Sequence, residues 1–223
     1  MSISLPTPHI AHLTEDDYEH IYEPAEDSFI LLDALEIDAQ LIRNEKPTMC
    51  VEIGSGSGIA STFLSQLIGP DSGLVLSIDI NRYACEATQK TAQANQITLN
   101  PILCNLLGPL TERLQQSKID ILLFNPPYVP TDMLELTDTQ ELKDIGGAWA
   151  GGNDGMVITD VILDQLPELL SPTGKMYLVT VDQNKPLEII ERMQAKGLIC
   201  KEIIKRRAGR ELLSVLRISR TAY

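Results

Sequence analysis

Apolar and polar positions along the chain alternate between two spacings. Short apolar runs occupy residues 49–53, 74–78, 101–104, 119–124 and 175–181, and each stops at a polar or turn residue. Runs of that length, bounded by turn formers, predict buried strands. Between them, residues 59–68, 83–95, 157–170 and 187–196 carry apolar positions at helical spacing. Gly69-Pro70-Asp71-Ser72-Gly73 breaks the first of these, Ser171-Pro172-Thr173-Gly174 follows the third, and Gly197 ends the last. Residues 198–204 and 212–218 read as a closing pair of strands. Strands alternating with helices predict a parallel sheet covered on both faces. The last two strands are joined by a short connection containing Ala208-Gly209, too short for a crossover, so the final strand is expected to run antiparallel. The expected fold is α/β: a Rossmann-like doubly wound sheet of seven strands, mostly parallel with an antiparallel last strand. It is expected to form a single domain over residues 1–223, with a short N-terminal extension to about residue 20. Residues 131–154 are the longest segment without a clear element, and long loops in compact domains are usually functional.

Composition narrows the chemistry. Lys and Arg number 18 against 31 Asp and Glu, a net charge of -13. That argues against sequence-nonspecific binding to DNA or RNA, which rests on neutralising phosphates, though it leaves room for a local basic patch. Such a patch exists at Lys201, Lys205, Arg206, Arg207 and Arg210. It reads as a solvated strand edge, or as a contact for an acidic protein surface or ribosomal RNA. The four cysteines, Cys50, Cys85, Cys104 and Cys200, form no CxxC pair and point to a reducing compartment. His9-x-x-His12 has metal-ligand spacing, but near a chain terminus it reads as part of a solvated, poorly ordered segment. No apolar stretch is long enough to span a membrane and no signal peptide is evident, so an intracellular, cytoplasmic protein is expected, with the nucleus as a second compartment.

Candidate chemistry lies at the strand ends. Gly54-Ser55-Gly56-Ser57-Gly58 follows the first strand and opens a helix, where ligands bind in such folds. A dinucleotide fingerprint wants its third glycine where Ile59 stands, one residue after Gly58. Glu52, just before the loop, opposes a pyrophosphate and favours a cation. S-adenosylmethionine fits these residues: it carries an ammonium, a sulfonium and a ribose, and no phosphate. Glu52 is placed for the ammonium, directly or through water. Asp79, about twenty residues on at the end of the second strand, suits the ribose hydroxyls. Asn105, after the third strand, suits the adenine amine, with Leu106 packing on the base.

The fourth strand ends in Asn125-Pro126-Pro127-Tyr128. The two prolines end sheet pairing and stiffen the chain. An Asn carbonyl and a proline backbone carbonyl can accept both N–H bonds of a planar NH₂ group, and Tyr128 can pack on its plane. Positioning and stabilisation of charge developing on that nitrogen then do most of the catalysis.

In this order the motifs resemble the class I S-adenosylmethionine-dependent methyltransferases that carry Asn-Pro-Pro-Tyr. One branch of those enzymes methylates adenine in nucleic acid; another methylates glutamine in translation termination factors. Three further stretches are similar to the HemK-type release-factor glutamine N5-methyltransferases of eukaryotes and archaea: Tyr22-Glu23-Pro24-Ala25-Glu26-Asp27-Ser28-Phe29-Ile30-Leu31-Leu32-Asp33-Ala34-Leu35, Ala148-Trp149-Ala150-Gly151-Gly152-Asn153-Asp154-Gly155, and Ala208-Gly209-Arg210-Glu211-Leu212-Leu213-Ser214-Val215-Leu216. With the core motifs they extend the resemblance from about Tyr22 to the last strand. It implies methylation of the glutamine of a Gly-Gly-Gln loop in the class I termination factor. It also implies a heterodimer with a small zinc-binding activator subunit, and the short third strand is a suitable edge for strand addition. Histone lysine is a further substrate implied for some relatives, but a planar amide suits the corner better than a tetrahedral ammonium. A duplex-acting adenine enzyme must flip its base and hold the phosphates, which usually needs a basic face and an added recognition module, and neither is evident at a net charge of -13.

The 22–28 stretch also has a local logic. Pro24 suits a first helical turn, and Glu26 and Asp27 complement its dipole. Tyr22 reads equally as a helix staple and as a residue near the methionine part of the cofactor. Trp149, the single tryptophan, either shapes the substrate groove or pins its loop.

Overall fold

The computed structural model describes residues 5–69, 72–128 and 155–221. Seven strands make one sheet: β1 (Met49–Ile53), β2 (Leu74–Asp79), β3 (Asn100–Leu103), β4 (Ile119–Phe124), β5 (Leu170–Val181), β6 (Ile199–Ala208) and β7 (Glu211–Ser219). Their order is β3-β2-β1-β4-β5-β7-β6. The first five run parallel, and β7 lies antiparallel between β5 and β6, as its short connection requires.

The strands are apolar on both faces, and their two-residue period sorts the core into two layers. On β4, Ile121 and Leu123 pack with α2 (Glu26–Ile37), α3 (Ala39–Glu45), α4 (Ile59–Ile68) and the end of α5 (Arg82–Ala94). Leu122 and Phe124 face the opposite way, onto α6 (Thr111–Ser117), α7 (Val157–Leu169) and α8 (Pro186–Ala195). From β1 the chain winds outward through β2 and β3, then returns to place β4 on the other side. Ile53 is in register with both Ile78 and Phe124. The loops leaving β1 and β4 therefore start side by side, at the point where a doubly wound sheet opens a crevice.

Three departures from the sequence pattern have physical reasons. Ser171-Pro172-Thr173-Gly174 does not precede β5 but bulges within it, because pairing with β4 jumps from Ile119–Leu170 to Ile121–Lys175. A Cβ on Gly174 would stand 2.5 Å from the Ile119 carbonyl oxygen, so only glycine fits that bulge. Strands β6 and β7 extend further than expected, since β6 is an edge strand whose charged side chains need no burial.

The third departure is the N-terminal segment, which is not a loose tail over its described part. The backbone amide of His9 donates to Asn95 Oδ1 and Asn95 returns a bond to the His9 carbonyl, both at 2.8 Å. His12 Nε2 lies 3.2 Å from Thr91 Oγ1. A short α1 (Glu15–Tyr18), capped by Thr14, follows, and Leu13 and Ile21 bury against Ala84 and Ala87 of α5.

Candidate active site

One cavity opens at the crevice between the β1 and β4 loops. Its walls include Tyr22, Pro24 and Asp27, then Glu52, Gly54, Gly56, Asp79, Asn81, Asn105, Leu106 and Asn125 to Tyr128. Of the residues singled out in the sequence, two are not in this wall. Gly58 caps α4 instead: at φ +79° it lies so close to α5 that a Cβ would stand 2.7 Å from the Thr88 Cα. It shapes the loop without lining the cavity. Trp149, with most of the 148–155 stretch, lies outside the described residues.

Two carboxylates sit at adjacent strand ends. Glu52 is 4% exposed and accepts bonds from the Ser61 amide (3.0 Å) and the Ser61 hydroxyl, in the first turns of α4. Burial pushes its carboxyl up to about 8; the Ser61 bonds oppose that rise and the nearby Asp79 charge adds to it. Asp79 Oδ2 accepts from the Gly56 amide and Oδ1 from the Asn81 amide, both at 2.9 Å. Burial raises Asp79 too, with the surrounding amides holding the rise in check. Leu106 takes a left-handed φ of 49°, which a branched side chain adopts only when its surroundings hold it there. No lysine, arginine or histidine is among the described lining residues. The donor set therefore suits a cationic, phosphate-free nucleoside and opposes a nucleotide.

The Asn-Pro-Pro-Tyr corner is fixed from three sides. Asp27, on α2 and 4% exposed, accepts from Asn125 Nδ2 (2.9 Å) and the Tyr128 hydroxyl (3.2 Å) on Oδ2. Its Oδ1 accepts from the Tyr22 hydroxyl (2.9 Å) and the Ser28 amide (2.7 Å). Burial, with Asp27 beside them, raises both tyrosines well above their usual value, so both hydroxyls remain protonated donors. The Tyr128 carbonyl accepts from Asn184 Nδ2 at 3.0 Å. A Cβ on Gly155 would fall 1.9 Å from that same carbonyl. With its nitrogen given to Asp27, Asn125 has an Oδ1 that is buried and has no hydrogen-bond partner among the described residues. A buried acceptor left open costs stability, and at the wall of a cavity a water or a ligand donor can satisfy it.

Asp27 lines the cavity and joins its walls, whereas in the sequence it reads only as a helix-start acid. As the second residue of α2 it has an ordinary reason to be acidic. Pro24 also differs from expectation: α2 starts at Glu26, so Pro24 precedes the helix and faces the cavity. Tyr22 lines the cavity and bonds Asp27, which favours its ligand-side reading over the staple.

Residues 28–143 match the family model of the methyltransferase small domain. The chain is 43% identical to "Methyltransferase HEMK2" of Mus musculus over 218 residues, which is 98% of each chain. It is 42% identical to "eRF1 methyltransferase catalytic subunit mtq2" of Schizosaccharomyces pombe, covering 97% of this chain and 96% of the relative. Among solved structures it resembles the E. cuniculi Mtq2-Trm112 complex, responsible for methylation of the eRF1 translation termination factor. The match has a TM-score of 0.64 at 24% identity, covering 90% of this chain and 99% of that one. The T. thermophilus 16S rRNA methyltransferase RsmC, solved with AdoMet and guanosine, shares the fold at a TM-score of 0.58 and 18% identity, over 90% of this chain and 44% of that one.

Proposed function

Since the chain belongs to the methyltransferase small-domain family, we propose that it transfers a methyl group from S-adenosylmethionine to the side-chain amide nitrogen of glutamine. The target is the Gly-Gly-Gln loop of the class I translation termination factor. The relatives named for eRF1 methylation support that substrate. The observation that carries the chemistry is the buried, unpartnered Asn125 Oδ1 at the wall of an acidic cavity.

The residues present fit the cofactor. Glu52 would meet its ammonium, Asp79 its ribose hydroxyls, and Asn105 and Leu106 its base, while Gly54 and Gly56 leave room for it. When bound, S-adenosylmethionine supplies an electrophilic methyl. The chain supplies the acceptor geometry. A glutamine NH₂ has a delocalised lone pair and is a poor nucleophile. Asn125 Oδ1, with the Pro126 carbonyl, would accept its two N–H bonds and hold the nitrogen in one orientation. As positive charge develops on that nitrogen, the same carbonyl dipoles stabilise it. The proton can leave after transfer, so no separate base is needed. The carboxylates and the missing basic lining disfavour the alternative, an adenine in nucleic acid.

The proposed partner is a small zinc-binding activator subunit, added along β3. The Mtq2-Trm112 pairing supports an activator. The position of β3 at the sheet edge and the 58% exposure of Leu103 support that docking strand. The proposed location is the cytoplasm, with the nucleus as a second compartment; four unpaired cysteines fit a reducing environment.

The test offers the termination factor, an adenine-containing duplex and a histone in parallel, with and without activator. Mass spectrometry then locates the methyl. The expected product is methylglutamine in Gly-Gly-Gln; methyl on adenine or lysine, with glutamine untouched, overturns the substrate.

A further inference from the structure

We infer that Asp27 is a positioning residue: it sets which end of the Asn125 amide faces the methyl acceptor. This rests on the proposed amide chemistry and deepens it. An asparagine amide is nearly symmetric in shape, and neither the Asn-Pro-Pro-Tyr backbone nor packing distinguishes oxygen from nitrogen. Hydrogen-bond sense does. A carboxylate only accepts, so the 2.9 Å contact from Asp27 Oδ2 is satisfied only by the Asn125 NH₂ end. The oxygen must then turn to the other side, where it is buried and has no partner among the described residues. With the opposite orientation, the Asn125 NH₂ would meet the NH₂ of the acceptor and two donors would face each other.

Among the described residues, every hydrogen-bond partner of Asp27 is a donor: the Tyr22 and Tyr128 hydroxyls, the Ser28 amide and hydroxyl, and Asn125. The charge is thus spread over uncharged donors and is not cancelled by a cation. Passed through the Asn125 amide, it makes Oδ1 a stronger acceptor, in the same sense that chains of hydrogen bonds polarise one another. The direction favours positive charge developing on the acceptor nitrogen. Asp27 also ties the N-terminal wall of the cavity, through Tyr22, to the catalytic corner. A mere helix-terminus role predicts something different, because asparagine at the second position of α2 would serve that role nearly as well.

The experiment compares the wild-type chain with D27N, bound to its activator, in two readouts. The first is the side-chain amide resonances of Asn125, assigned by their loss in N125A. In the wild type they should form one sharp, downfield pair; in D27N, which can accept or donate, they should shift and broaden as the amide samples both orientations. The second is steady-state kinetics. D27N should lower kcat on the order of 10- to 100-fold, the range typical when the group orienting a functional side chain is removed. Cofactor Kd and thermal midpoint should stay near wild type. Unchanged Asn125 resonances, or a kcat within twofold of wild type, overturns the inference. A loss of cofactor affinity that accounts for the whole fall in rate does so as well. If the wild type methylates no glutamine, the substrate reading falls, and the resonance comparison still decides the role of Asp27.

Discussion

At the end of β4, Asn125 gives its amide nitrogen to Asp27 and leaves its oxygen without a partner among the described residues. At the end of β2, Asp79 is half-buried and accepts from backbone amides 2.9 Å away, a position suited to binding. These roles separate on mutation. N125A should cut kcat by about 10²–10³-fold, as expected for removal of one group that stabilises developing charge, with cofactor Kd nearly unchanged. D79A should weaken cofactor binding by about 10- to 100-fold, the worth of one or two hydrogen bonds to a charged group. Calorimetric titration and initial rates on both variants check this; a joint loss of affinity and rate in N125A would make it a binding residue. Glu52, Asp79, Asn105 and Asn125 were legible as residues of one cavity wall because, although a single polar residue at a strand end is common, a series of them in order at successive strand ends is not. Asp27 was not, because acidity at a helix start is its own sufficient explanation.

The corner depends on elements far away in sequence. Gly155, just before α7, has φ +74° and no room for a side chain against the Tyr128 carbonyl. G155A should therefore destabilise the chain by about 1–3 kcal/mol, from left-handed strain alone, and more if Tyr128 cannot yield. Denaturant unfolding measures the first effect. Activity below that of the wild type at full folding measures the displaced corner. On the sheet edge, Leu103 is exposed on β3. L103D should weaken activator binding at least tenfold while leaving cofactor Kd unchanged, read by titration of one subunit with the other; unchanged binding would move the interface elsewhere. Apart from β5 and β6, the expected elements emerged within about a residue of their bounds. What escaped were α3, α6 and the bulge in β5. The two helices are a few turns at most and carry little periodicity. The bulge looks like an ordinary turn until β4 is laid beside it.

Across the whole molecule, burial of Glu52 links proton binding to both stability and ligand binding. Its folded carboxyl titrates at about 8, above the ordinary value of 4.5. The folded chain thus holds a proton that the unfolded chain has released between those values, so stability falls as pH rises through that window. Asp79 is raised as well and acts in the same sense. The thermal midpoint of the ligand-free chain should drop from pH 6 to 8.5, and E52Q should flatten most of that drop. Binding a cationic cofactor favours the ionised carboxylate, so wild-type affinity should rise with pH toward 8, up to about tenfold per unit, while the E52Q slope should be shallower. Midpoints and Kd values that ignore pH in the wild type would contradict the account. The N-terminal segment is the part of the molecule least visible in sequence. It has no periodicity, and its order comes from the side chains of Asn95, just past α5, and Thr91 on α5, 86 and 79 residues from their partners His9 and His12.

The most direct test of the central claim is a crystal structure of the chain with its activator, S-adenosylhomocysteine and a peptide containing Gly-Gly-Gln. The account expects the glutamine amide nitrogen to lie within hydrogen-bond distance of both Asn125 Oδ1 and the Pro126 carbonyl, with Asp27 still bonded to Asn125 Nδ2. A glutamine held elsewhere in the cavity, or an Asn125 amide turned to point its nitrogen at the substrate, would contradict it.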